Sequence, residues 1–151
     1  MNRVGVIFLI LLGSLLVGCG STQAPKVIDG TWNASLQNPD STPAYTFSAT
    51  LTQGSGSTVV VSNFLFTASA ACFSSPTGQS ATFSATGHAG GYQTGKFGMN
   101  ISTALGVQVE NVLTLNGTRN SDGEISGTWN LTGLSGCSAS GNYTMQALLP
   151  L

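Results

Sequence analysis

Along most of this chain, apolar residues recur at every second position. In 45–52, Tyr45, Phe47, Ala49 and Leu51 alternate with Thr46, Ser48, Thr50 and Thr52. The same period sets Phe97, Met99 and Ile101 against Lys96, Asn100 and Ser102. It sets Ile125, Trp129 and Leu131 against Glu124, Ser126, Thr128 and Asn130, and Tyr143 and Met145 against Asn142, Thr144 and Gln146. Successive side chains of a strand point to opposite faces, so the pattern predicts strands with one buried and one wetted face. Composition works against long helices. Only 6% of residues are Asp, Glu, Lys or Arg, against about a quarter in an average domain, so the residues that surface a helix are scarce. Polarity comes from Ser, Thr, Asn and Gln, with abundant Gly suited to turns.

Eight segments carry the strand signal, near 30–37, 44–53, 57–67, 79–88, 94–102, 106–118, 124–132 and 139–148. Gln53-Gly54-Ser55-Gly56, Gly90-Gly91 and Asn120-Ser121-Asp122-Gly123 read as hairpin turns, and Ser74-Ser75-Pro76-Thr77-Gly78 as a longer loop. Short links between evenly spaced strands predict an all-β, antiparallel up-and-down meander. A meander hides its edges by closing into a barrel; a two-sheet β-sandwich is the alternative. Alternating strands also suit a membrane-spanning barrel, but the chain lacks aromatic girdles, and several positions on the apolar face are Ala or Gly. The motif Gly30-Thr31-Trp32-Asn33 returns as Gly127-Thr128-Trp129-Asn130 without matching flanks, as a chance recurrence would.

The first residues carry a different signal. Arg3 precedes the apolar run Val4 to Val17, which is followed by small residues. This is the layout of a secretory signal, and the run is shorter than the roughly 20 residues a membrane-spanning helix needs. Leu16-Val17-Gly18-Cys19 resembles the lipobox of bacterial lipoproteins. The resemblance implies that Cys19 receives a diacylglyceryl group, that a peptidase cuts before it, and that the new amine is acylated. It divides the chain into a signal peptide (1–18), a lipidated N-terminus with a short tether (19–28) and an all-β domain (29–151). Several acyl chains are needed for firm attachment, because one alone binds only marginally. The expected location is the cell envelope, outside the cytoplasm. Gly20, rather than Asp, after the cysteine implies the outer membrane where a second membrane exists. From Gly20 to Lys26 the tether reaches at most about 25 Å.

Cys72 and Cys137 are then left as an even pair in an oxidising compartment, which predicts a structural disulfide. Neither lies in a Cys-x-x-Cys motif, and no ligand cluster surrounds them, so redox catalysis and metal binding are not expected.

Gly30-Thr31-Trp32 at the opening of the first strand resembles the Gly-x-Trp opening of the calycin barrels, lipocalins and avidins. The resemblance implies a Trp32 that closes one barrel end, with Arg119 as the late-strand arginine above it. It supplies no binding residues, and a later Thr-Asp-Tyr signature is missing. Trp32 as ordinary core packing is the competing reading.

Chemistry-bearing residues are sparse. His88 is the only histidine, with no cysteine or carboxylate near it in sequence. Gly133-Leu134-Ser135-Gly136-Cys137 fails the last position of a nucleophile elbow. Asp122 and Glu124 sit at a turn and cannot by themselves complete a calcium shell or a glycosidase pair. Lys26, Lys96 and Arg119 are too few to neutralise a phosphate track, so nucleic acid is not an expected partner.

These residues predict a non-enzymatic, membrane-anchored envelope lipoprotein with no cofactor and no metal. The leading role is the binding of a small apolar ligand. Its motive is the mixture of large and small residues assigned to the inward face: Phe47 beside Ala49, and Phe83 beside Ala81 and Ala85. The alternative is an interaction module that docks an envelope protein through Ser/Thr-rich strands or the loop around Phe73 and Pro76. A hydrolase is the weakest reading.

Overall fold

The structure is a computed structural model that describes residues 26–67, 72, 76–105, 108–133 and 136–148. Its strands are β1 (Gly30–Gln37), β2 (Pro43–Gln53), β3 (Thr58–Phe66), β4 (Pro76–Ala89), β5 (Tyr92–Leu105), β6 (Gln108–Arg119), β7 (Ile125–Gly133) and β8 (Ala139–Ala147). Each pairs antiparallel with the next, and β8 returns to β1 through Trp32↔Ala147 to Gln37↔Asn142. The result is a closed eight-stranded barrel in simple meander order. The sandwich alternative is thereby set aside: pairing first to last strand removes two edges that a sandwich would have to protect.

Turn chemistry sets the hairpins. Gly90 and Gly91, with φ of 58° and 83°, make the two-residue link between Ala89 and Tyr92, a conformation that favours glycine at both positions. In the β6–β7 turn, the Asn120 Oδ1 accepts from the N–H groups of Asp122 and Glu124, each at 3.0 Å. One segment departs from expectation. Pro76 to Gly78 belong to β4 rather than to a loop, pairing with Thr103 and Ser102. Proline is tolerated there because the first residue of a strand can do without its N–H.

The apolar face of every strand turns inward. Trp32, Leu36, Phe47, Leu51, Phe83, Met99, Ile101, Leu113, Leu115, Ile125, Trp129, Tyr143 and Met145 are all buried. Each such burial contributes about 1.5–3 kcal/mol against exposure. The outward positions, among them Lys96, Asn100, Thr128, Asn130, Thr144 and Gln146, are exposed. A barrel with a polar outer face and an apolar interior reverses the pattern of a membrane-spanning one.

Space for the largest side chains comes from glycine. Gly117, Gly127 and Tyr143 are neighbours in register across β6, β7 and β8. A Cβ at Gly117 would lie 2.5 Å from the Tyr143 hydroxyl, so the phenol occupies the room that the missing side chain of Gly117 leaves. Tyr143 is fully enclosed as a result, 2% exposed.

Two irregularities break the alternation. On β3, the register steps from Thr50↔Ser62 to Ser48↔Leu65, and Asn63 adopts a φ of 50°. This bulge re-aims the strand: Val59 and Val61 face the interior before it, Phe64 and Phe66 after it, and Leu65 is left 62% exposed. On β4 and β5, the register shifts between Ala85 and Gly87. Ala85 is exposed, not inward as its spacing from Phe83 predicts. β3 begins only at Thr58, so the β4–β5 hairpin runs past the barrel wall from there on.

Candidate functional site

The strands alternate in direction, so the barrel has an entry end, where the chain arrives at β1, and a far end. The two are built differently.

The entry end is plugged. Lys26 pairs with Tyr92 of β5: its N–H donates to the Gly91 carbonyl at 2.8 Å, and its own carbonyl accepts from Gln93 at 3.0 Å. From there the chain crosses to β1 and buries Ile28 completely. The carbonyl of Ile28 accepts from the Trp32 indole N–H at 2.8 Å. Above the indole lies the Arg119 guanidinium, 5.4 Å from the ring centroid and 5.1 Å from that of Tyr92. Arg119 donates through Nη1 to the Lys26 carbonyl at 3.0 Å and through Nε to the Gly123 carbonyl at 3.3 Å. Burial lowers its pKa from the ordinary arginine value, the nearby Tyr92 opposing this; an arginine nevertheless keeps its charge at neutral pH. The arrangement places Trp32 under Arg119 at this end of the barrel.

The far end is lined with aromatic rings, of which Tyr45, Phe64 and Phe66 are only partly buried. Tyr45 meets Trp129 edge-on at 5.7 Å and Phe66 at 6.3 Å; Phe64 lies 5.1 Å from both Phe47 and Phe66. The Trp129 indole donates to the Gln37 carbonyl at 2.9 Å, which fixes its ring across the end of β1. Burial pushes the Tyr45 phenol above its ordinary value. Beside these rings Cys72 and Cys137 form the expected disulfide, with Cα atoms 5.8 Å apart. Asn111 donates to the Cys72 carbonyl at 2.7 Å, tying the crosslinked segment to β6.

Two polar atoms at this end have no partner among the described residues. The Thr103 hydroxyl and the Asn111 Oδ1 are buried without a hydrogen bond, on residues that face each other across β5 and β6. Thr103 is 7% exposed and Asn111 9%. An unmet buried polar group costs about 1–3 kcal/mol, so a polar ligand atom or water there would recover free energy. Parity alone could have marked both residues. Thr103 continues the inward series Phe97, Met99, Ile101, and Asn111 precedes Leu113 and Leu115 by the same step.

The wall is also incomplete toward this end. The ladder between β3 and β4 consists of Thr58↔Thr82 and Val59↔Ala81, and no pairing with β4 continues beyond Val59 among the described residues. Val60, at 55%, and Leu65 are the exposed large apolar residues of that stretch.

The remaining candidates are dispersed. His88 sits exposed near the tip of the β4–β5 hairpin, paired with Gln93, at the opposite end from the aromatic cluster. Glu124 accepts from the Gln146 amide at 3.1 Å, and Asp122 stays on the solvated turn. Among the described residues no group of three or more His, Cys, Asp and Glu is placed to hold a metal ion. Cys19, Phe73 and the Leu134-Ser135 pair lie outside the described residues. Comparison of the chain with family models, with curated proteins and with solved structures yields no match.

Proposed function

We propose that this chain is a non-enzymatic lipoprotein of the bacterial envelope, anchored through Cys19, whose barrel binds a small, mostly apolar molecule at its far end. The observation that carries the reading is the asymmetry of the two ends. One is sealed by Ile28, Trp32 and Arg119. The other presents half-buried aromatic rings next to two polar atoms that have no partner among the described residues. Binding sites for small molecules combine apolar walls with a few fixed polar groups in this way. The middle of the barrel is filled by buried side chains such as Met99, Leu115 and Tyr143, so the ligand sits at the mouth rather than deep in the lumen. Its apolar part lies against Tyr45, Phe64 and Phe66. A single donor group, a hydroxyl or amide, reaches the Asn111 Oδ1.

Native mass spectrometry of the mature lipoprotein, exported in its own host and released gently in detergent, tests this. A stoichiometric small-molecule adduct that diminishes with Asn111→Ala supports the reading. An adduct-free protein that takes up no apolar ligand from the host's lipid extract refutes it. The anchor has its own test: labelled fatty acid enters the wild-type chain and not Cys19→Ala.

A second reading rests on β3. The segment from Val60 to Leu65 presents exposed apolar side chains on the stretch where pairing with β4 has stopped. An incompletely paired strand is a template for strand addition, which would make the protein a docking module for another envelope protein. Cross-linking from Leu65 into one reproducible partner would favour this over ligand binding.

A further inference from the structure

The entry end carries an apolar surface of its own. Val27 is 38% exposed and Leu148 53%. The Leu148 N–H donates to the Thr31 carbonyl at 2.8 Å, so this residue is fixed at the entry end. Together with Gly30, Ala147 and Tyr92 they border a shallow cleft of about 650 Å³. At its rim the Lys26 ammonium lies 5.6 Å from the centre of the Tyr92 ring. An apolar centre edged by a tyrosine and a lysine matches the chemistry of the boundary between lipid headgroups and acyl chains.

We infer that the entry end of the barrel rests on the lipid surface, with Val27 and Leu148 at the headgroup boundary and the aromatic far end directed away from the membrane. The inference rests on the lipidation of Cys19 proposed above. It adds the orientation that the structure gives to that anchor.

The geometry of the tether leads to the same face. Lys26 is pinned to the entry end through both its N–H and its carbonyl. Only residues 20–25 separate it from Cys19, a reach of at most about 25 Å. Two partly exposed side chains would not hold a free protein on a bilayer. An anchor that keeps the patch within that reach turns contact into an intramolecular event, for which weak affinity is sufficient. The charges at this end do not favour anionic lipid: Asp29, Asp122 and Glu124 offset Lys26 and Arg119. The contact is therefore apolar, and it holds on zwitterionic membranes and in high salt.

The two tryptophans report on the two ends. Trp32 pairs with Ala147 and Trp129 with Gly141 on neighbouring strand β8, a separation of about 20 Å along the strand. The test uses the full mature lipoprotein in phosphatidylcholine vesicles that contain a headgroup-linked dansyl acceptor. Trp129→Phe, which leaves Trp32 as donor, is expected to transfer energy several-fold more efficiently than Trp32→Phe. Equal transfer, or more from Trp129, overturns the orientation. Both tryptophans are buried, so a second variant keeps the test independent of their removal. Val27→Asp with Leu148→Asp, both on the surface, is expected to reduce transfer in the chain with both tryptophans while fatty-acid labelling stays unchanged. Unchanged transfer in that variant refutes the patch. A wild-type chain that carries no fatty acid defeats the anchor, and this orientation with it; a labelled chain with equal transfer from both ends defeats the orientation alone.

Discussion

The guanidinium of Arg119 lies 5.4 Å from the centre of the Trp32 ring and links the end of β6 to the chain entering β1. It is 3% exposed, and its partners among the described residues are carbonyl oxygens and ring faces rather than a carboxylate. Arg119→Met keeps much of the packing and removes both hydrogen bonds, each from a charged donor. The expected loss is about 2–4 kcal/mol in urea unfolding. Arg119→Lys should recover little of it, because an ammonium cannot reach both carbonyls with one planar fork. A loss below about 0.5 kcal/mol, the range of ordinary surface changes, would show that this plug does not hold the barrel end.

The Cys72–Cys137 bridge closes a loop with a sequence separation of 65. Chain-entropy reasoning assigns it about 4 kcal/mol. Reductant, or replacement of both cysteines by serine, should lower the urea midpoint, and the slope should hold or rise as the released unfolded chain exposes more surface. Alkylation of the oxidised protein should find neither thiol. A midpoint indifferent to reductant would mean that the Asn111 hydrogen bond and local packing suffice to hold the segment.

Tyr143 gives a prediction with a definite sign. Burial raises its pKa from the ordinary value, and its hydroxyl has no partner among the described residues. A group whose folded pKa is raised contributes stability that is fully present below the unfolded value, about 10 for tyrosine, and is lost as the pH climbs above it. Wild-type stability should therefore fall above about pH 10, by up to roughly 1.4 kcal/mol per pH unit for this group. Tyr45, shifted the same way, adds to the decline. Tyr143→Phe should flatten the alkaline limb and, at pH 7, leave stability unchanged or higher by up to about 1 kcal/mol. A marked loss at pH 7 would reveal a hydrogen bond to the hydroxyl.

Gly127 and Gly87 make a contrasting pair. A methyl group at Gly127 would collide with the backbone of Asn116 and Gly117 on β6, with no flexible side chain to give way. Gly127→Ala should cost about 1–3 kcal/mol. At exposed Gly87 the added carbon would meet only the Thr94 hydroxyl at 3.5 Å, so Gly87→Ala should stay within about 0.5 kcal/mol. Thermal or urea unfolding of the two variants separates a glycine needed for close approach from one that is not.

The sequence by itself determined the fold class, the eight strands to within a few residues, the main turns and the pairing of Cys72 with Cys137. These follow from local rules. A strand shows its two faces with a period of two, and glycine or asparagine marks the turns. The same parity contained the inward positions of Thr103, Asn111 and Arg119. The motif shared by Gly30-Thr31-Trp32-Asn33 and Gly127-Thr128-Trp129-Asn130 shows where local information stops. Trp32 donates to the Ile28 carbonyl and helps to seal the entry end, whereas Trp129 donates to the Gln37 carbonyl among the aromatics of the far end. Gly30 sits at φ 137° where β1 begins, while Gly127, within β7, lets the backbone of β6 approach closely. Tertiary structure alone decided barrel over sandwich, because closure depends on β1 meeting β8, the most distant pairing in the chain. It decided the bulge at Asn63, which reverses the parity of β3, and the overhang that exposes Ala85. It also decided that the two ends differ among the described residues, since Lys26, Tyr92 and Arg119 meet at one and Tyr45, Asn111 and Cys72 lie at the other. Each set comes from segments far apart in sequence, and only long-range contacts bring its members together.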